Sequence, residues 1–408
     1  MLLNSLQIIA LALTINAGII PNIWEEAIES IEQLSLNIEK VSKHSNISDA
    51  FKKNPELFKL HADLINIESI SGNEYSVSGY LQRYLNNLGL GYNFEIDDTN
   101  RNIYAFGGEH KQNSSVLLTS HIDTVPPYVN YYVEEDSDDG SVKIHGRGSC
   151  DAKGSVAAQV IAAKELIEEG LVTIDELSLL FVFGEEVGGL GMRKSNDYFN
   201  KENITWDSVI FGEPTENKLA AGHKGIYMAD IEVFGLASHS GYPDVGIDAD
   251  KILIEIMHEL ENYPWPSSEL LNKTTINIGL MNGGTAGNVV SPYAKCSVLM
   301  RTAVDSDEIV PVVAEIVSKY ESYAKKLKFE VSVTDDPTSL DYQVEGFEKY
   351  IASYATDIPK LDHKGFKRYL YGPGSILVAH GDNEYVTADS LLEAVDGYKK
   401  LVLYSLGK

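Results

Sequence analysis

The feature that most restricts the fold is a series of uninterrupted apolar runs set between helical segments. NIYAFGG, SVLLTSH, ELSLLFVFGEE and DSVIFGEP read as strands, and AKGSVAAQVIAAKELIEEG, between the second and third, as a helix closed by Gly170. A strand with one wet face alternates polar and apolar residues; a run that is apolar throughout is covered on both faces. Such strands alternating with helices imply an α/β fold with a mixed, mostly parallel sheet covered by helices. Upstream, EYSVSGYLQRYLNNLGL reads as a helix ended by Gly89, Asn54-Pro55 opens another, and Trp24 to Val41 carries apolar residues at helical spacing. SILVAH is expected to be a further apolar strand, followed by a last helix, ADSLLEAVDGYKKLVLYSL.

Near Gly222 the pattern changes. GIYMADIEVFG alternates as a half-exposed strand does. A helix around Ala249 to Leu260, the strands TTINIGLMNGG and AKCSVLMRTA, a helix from Asp307 to Lys325 and the strand KFEVSVTDD follow. The order β-α-β-β-α-β is a split βαβ, ferredoxin-like α+β unit. It reads as a domain inserted over residues 222–336, which leaves 18–221 and 337–408 as two parts of the main domain. A length of 408 residues suits two domains.

The formal charge of −27 argues against nucleic acid, which needs basic patches, and against anionic membrane surfaces. The first residues, MLLNSLQIIALALTINAG, resemble a secretory signal peptide spanning 1–17, and the apolar run is too short for a stable membrane anchor. Sequons at Asn46, Asn113, Asn203 and Asn272 fit export, so the expected location is extracellular or vacuolar. Two cysteines, Cys150 and Cys296, fall in different domains and read as free thiols.

The runs share a second property: each ends in side chains that bind metal. VLLTSHID ends at His121 and Asp123, LSLLFVFGEE at Glu185 and Glu186, SVIFGEP at Glu213, and SILVAHGDNE at His380. Asp151 lies in GRGSCDAKGS, just before a helix. Ligands of open α/β sheets bind beyond the carboxyl ends of the strands, so these groups converge on one edge. Gathered carboxylates repel one another unless cations compensate, and two imidazoles with several carboxylates suit two Zn²⁺ ions. For His121 and Asp123 alone, a solvated loop is the plainer reading.

SHIDTVP, GRGSCDAKG, FGEEVGG, GEPT and AHGDNE, in this order, closely resemble the M20 family of dizinc metallopeptidases over about residues 55 to 405. That family holds secreted carboxypeptidases, aminoacylases and acetylornithine or succinyl-diaminopimelate deacylases. The resemblance implies a catalytic domain with an inserted lid or dimerisation domain. It implies that His121, Asp151, Glu186, Glu213 and His380 bind two zinc ions, with Asp151 bridging, and that Co²⁺ can substitute. Which ion Glu213 and His380 each serve is left open. Asp123 would orient His121, and Glu185 would be the general base for a hydroxide held between the metals. In the lid, His239 would stabilise the oxyanion, while Asn288, Arg301 and Gly374 would hold a substrate carboxylate. A surface ion pair for Arg301 and a simple turn at Gly374 are the plainer alternatives. His223, near the domain junction, and Cys150 read as structural. The expected substrates are small peptides or N-acyl amino acids, and the expected assembly is a homodimer in which His239 acts across the interface.

Overall fold

The computed structural model describes residues 45–408 except 97–98, 100, 109–113 and 363–364. The expected leader, the expected Trp24 to Val41 helix and Asn113 lie outside the described residues. The central sheet has six strands in the order Asn93–Ile96, Ile103–Phe106, Leu177–Val182, Val116–His121, Ser208–Gly212, Lys367–Tyr371. The last four run parallel, and the first two form an antiparallel edge. The sheet is mixed and mostly parallel, as the apolar runs imply.

Side chains of each strand divide between two cores with the period of two that a pleated strand imposes. Leu118, Leu179, Phe181 and Ile210 enter the core under helices Pro55–Asn66, Lys153–Glu168 and Ala388–Ser405. Leu117, Leu180, Val182, Val209 and Phe211 enter the opposite core, with Met192 and Phe199 of helix Leu190–Glu202. Helix Lys153–Glu168 is buried along most of its length, and Gly170, at φ +70°, lets the chain leave it. Asn54 caps Pro55–Asn66 by accepting from the Leu57 N–H at 3.1 Å.

One expected strand is absent. Ser375–His380 is a succession of turns, with Leu377 86% exposed, and the sheet is completed by Lys367–Tyr371 instead. Gly372-Pro373-Gly374 separates the two segments, and the proline cannot donate to a ladder. His380 therefore sits in a turn at φ +65°. The Asp307–Lys325 helix is also shorter than expected. It spans Ser306–Ser318, then a 3₁₀ turn at Glu321–Tyr323, because Lys325 must donate to Phe234 as the next strand begins.

Residues 225–335 form a second sheet, Thr275–Gly283, Tyr293–Thr302, Gly225–Phe234, Lys326–Asp335, antiparallel throughout. Its inner face (Tyr227, Ala229, Ile231, Val233) packs on helices Ala249–Asn262 and Ser306–Ser318 in a separate core. This unit falls within the segment expected as an inserted lid. Thr275–Gly283 is an open edge strand, with Leu280 and Met281 exposed. Among the described residues no helix is long and apolar enough to cross a membrane.

Candidate active site

Strand register builds the site. His121 is paired with Val182, and Ser120 with Gly212, so His121 stands between the segments running on to Glu185-Glu186 and Glu213. Asp151 reaches the same edge from the loop before helix Lys153–Glu168. That helix is anchored by Lys153, whose buried ammonium donates to the carbonyls of Leu64 (2.8 Å) and Ile67 (2.9 Å). His121, Asp151 and Glu213 offer one group of donor atoms, and Asp151, Glu186 and His380 another, with Asp151 common to both. His121 Nε2 lies 3.0 Å from Asp151 Oδ1 and 3.8 Å from Glu213 Oε1. His380 Nε2 lies 3.3 Å from Asp151 Oδ2 and 3.1 Å from Glu186.

Asp123 does more than hold an imidazole. Its Oδ1 is 3.5 Å from His121 Nδ1 and accepts from the Glu185 N–H at 3.0 Å. Its Oδ2 accepts from the Glu186 N–H at 3.2 Å and from Ser71 Oγ at 2.8 Å. Asp123 thus orients His121, its main-chain carbonyl lying 3.0 Å from Nδ1, while its carboxylate fixes the loop bearing Glu185 and Glu186. Burial opposes its charge, but the bonds from His121, Ser71 and Glu185 hold it below the ordinary range.

The acids around the groups are short of positive charge. Burial pushes Glu213 well above the ordinary carboxylate range, with Asp151 and Glu186 adding to the rise. Burial does the same to Glu185, reinforced by Asp357 and Glu213, and to Glu186, reinforced by Asp151. His380 is raised to about 10 by its bonds to Asp151 and Glu186. Divalent cations would supply what these carboxylates lack, and imidazole nitrogens with carboxylate oxygens are the donors zinc takes. The residues fit a metal.

Two acids with no assigned part in the sequence stand out. Glu384 is buried; its Oε1 accepts from the N–H groups of Gly148 (3.0 Å), Cys150 (3.1 Å) and Asp151 (3.1 Å). Its Oε2 meets the buried Arg147 at 2.7 Å. It sets the Asp151 loop, and its place at the end of AHGDNE was the available signal. Asp357, 7% exposed, lines a small cavity with His121, Glu185 and Glu213, and its Oδ2 has no hydrogen-bond partner.

The remaining candidates lie elsewhere. His239 and Asn288 are exposed on neighbouring lid segments; Val289 bridges to His239, and the Ser240 N–H donates to the Asn288 carbonyl. Neither is hydrogen-bonded to the ligand groups. His239 Nδ1 accepts from the Gly241 N–H at 3.0 Å, which in the neutral ring leaves Nε2 as the donor. Arg301 is half-buried on the lid; burial lowers its proton affinity and the Glu185 charge opposes that. The Gly374 N–H, expected to meet a carboxylate, donates to Ser390 Oγ at 3.1 Å. Its φ of +81° and the Cys150 sulfur, 2.6 Å from where a Cβ would sit, account for the glycine. Both cysteines are free and buried.

Imidazoles and carboxylates gathered at the strand ends, with a further acid alongside, suit a metal-dependent hydrolase. The chain belongs to peptidase family M20/M25/M40, whose model matches residues 117–404. It is 45% identical over 354 residues to a peptidase M20 domain-containing protein of Schizosaccharomyces pombe, covering 86% of this chain and 85% of that one. It is 40% identical to a probable carboxypeptidase of Aspergillus niger, covering 89% and 92% of the two chains. A tripeptidase from Staphylococcus aureus shares the fold, with a TM-score of 0.72 at 18% identity over 87% of this chain and 99% of that one.

Proposed function

We propose that this protein is a dizinc carboxypeptidase, hydrolysing the amide bond next to a free carboxylate of a small peptide. The observation that carries this reading is the place of Arg301. Its guanidinium makes no ion pair among the described residues, yet it is half-buried where Glu185 influences it. A guanidinium in that place suits bidentate capture of a substrate carboxylate near the base.

Bound at the two groups joined by Asp151, zinc ions would activate water and polarise the amide carbonyl. Glu185 takes a proton from the attacking water and returns it to the leaving nitrogen. Asp123 keeps His121 and the Glu185 loop aligned, and Glu384 does so for Asp151. His239, with Nε2 as donor, serves the developing oxyanion from a partner's lid. The open edge strand Thr275–Gly283 offers a two-fold pairing surface for such a dimer. The leader-like N-terminus and exposed Asn203 and Asn272 support a secreted or vacuolar glycoprotein.

The second reading keeps the site and changes the substrate to an N-acyl amino acid; the probable carboxypeptidase among the relatives favours the first. Purified protein offered N-blocked dipeptides, their C-terminal amides and N-acetyl amino acids separates the two. The carboxypeptidase reading expects turnover of the free-acid dipeptides, loss of activity with chelator and recovery with Zn²⁺ or Co²⁺. Turnover of N-acetyl amino acids alone, or of the amides as readily as the acids, would overturn it.

A further inference from the structure

The lid joins the body through a stem of two adjacent strands, and beside that stem lies a charged group that catalysis leaves unused. Lys360 Nζ ion-pairs with Asp335 Oδ2 at the end of the lid strand Lys326–Asp335, and the lysine side chain is only 8% exposed. His223, where the chain enters the stem, is fully buried and close enough to sense both charges of that pair. Its Nδ1 meets the Lys224 carbonyl at 3.0 Å, and its Nε2 has no partner.

The other side of Lys360 rests on the catalytic loop. Glu185 and Glu186 are carried by a turn closed by the Gly188 N–H on the Glu185 carbonyl (3.1 Å) and the Gly189 N–H on the Gly184 carbonyl (2.8 Å). A Cβ placed on Gly189 would lie 2.2 Å from Asp357 Oδ1 and 3.2 Å from Lys360 Cγ. The Lys360 N–H donates to the Asp357 carbonyl at 2.8 Å. One 3₁₀ turn, Ile358–Lys360, therefore touches the lid through a charge and the loop of the base by direct packing.

We propose that Lys360 is a positioning residue whose ion pair with Asp335 ties the angle of the lid to the placement of the loop bearing Glu185 and Glu186. The pair is mostly shielded from water and joins two separately packed cores, so it holds one relative geometry better than an exposed pair could. When the lid swings, Asp335 moves with it, and the turn packed on Gly189 is drawn along.

The test uses Lys360→Met, Asp335→Asn and the double variant in full-length, metal-loaded protein. Glu308→Cys on the lid and Asn87→Cys on the body carry spin labels, since both native cysteines are buried and both label sites exposed. Each single variant should keep its metal by elemental analysis and show a broadened lid–body distance distribution. In each, kcat should fall about 10- to 100-fold, the scale of small misalignments, with a smaller change in KM. The double variant should be no worse than either single one, and Lys360→Arg should retain a sharp distribution. Unchanged distances and kcat in both single variants would overturn the proposal. So would losses that multiply in the double variant, which would mean the two residues act separately. The distance measurement needs no substrate, so its failure is distinct from failure of the carboxypeptidase reading.

Discussion

Glu185 and Asp123 differ in environment more than in chemistry. Asp123 is saturated with donors and stays ionised; Glu185 is buried among other acids and holds a proton more tightly. Glu185→Gln keeps the shape and removes the base. It should retain metal while kcat falls by at least ~10²-fold, the scale of general acid–base catalysis; single-turnover rates with metal content measured in parallel check this. His61 offers a pH test at a group outside the candidate ligand set. Its Nε2 meets the Ser149 carbonyl at 2.9 Å, and burial lowers its pKa from 6.5 to about 4. Between those values the unfolded chain binds a proton that the folded chain refuses, so stability rises with pH across that window. His61→Gln keeps a donor but cannot titrate. Its unfolding free energy should rise less steeply from pH 4 to 6.5, by at most about 1.4 kcal/mol per pH unit. An unchanged slope in chemical denaturation would count against the assignment.

At the scale of elements, candidate ligands contiguous with a strand were legible from the apolar runs alone, and the supporting acids held by long-range contacts were not. His121, Glu186 and Glu213 follow directly from apolar runs, so strand polarity alone put them on one edge. His380 reached the right edge for the wrong reason. Its run SILVA looks like a strand but forms turns, while the true strand, KRYLY, begins with two charged residues and hides its pattern. Glu384 ends the motif AHGDNE, but its role was not legible because its partner Arg147 stands 237 residues away. Asp357 was hidden by the same kind of distance from Glu185. The role of Glu384 can be measured. Glu384→Gln leaves Arg147 without its counter-charge, at about 3–5 kcal/mol for a broken buried pair. It should also loosen the Asp151 loop and weaken metal binding about 10- to 100-fold, the cost typical of lost supporting contacts. Denaturant midpoints and metal-binding isotherms provide the check; wild-type values in both would show the contact to be idle.

At the scale of the molecule, His239, exposed on the lid, has a direct experiment. Subunits carrying His239→Ala and subunits carrying Glu185→Gln, each impaired alone, are mixed and allowed to exchange. A mixed dimer contains one site with an intact Glu185 and a partner's intact His239, so activity should reappear. No recovery after exchange is verified, or full activity in a monomer, would assign His239 to its own chain through lid rotation. Export belongs to the same scale. Intact-mass measurement of protein from the medium or vacuole should show a chain beginning near Gly18 with glycan on Asn203 or Asn272; an unglycosylated, full-length chain from the cytosol would refute it.

The stem of the lid is itself an antiparallel pairing of entry and exit strands, with His223 opposite Thr338 and Ile226 opposite Asp335. Entry and exit are therefore one strand spacing apart, about 4.8 Å. A segment whose ends already meet adds little closure entropy to the chain that hosts it, about 0.6 kcal/mol for each doubling of its length. A tight hairpin turn could replace it without moving either half of the body. The lid is in this sense a cassette: caps of other sizes and shapes can be spliced into the same hydrolytic chassis while the register that aligns His121, Glu186 and Glu213 stays intact.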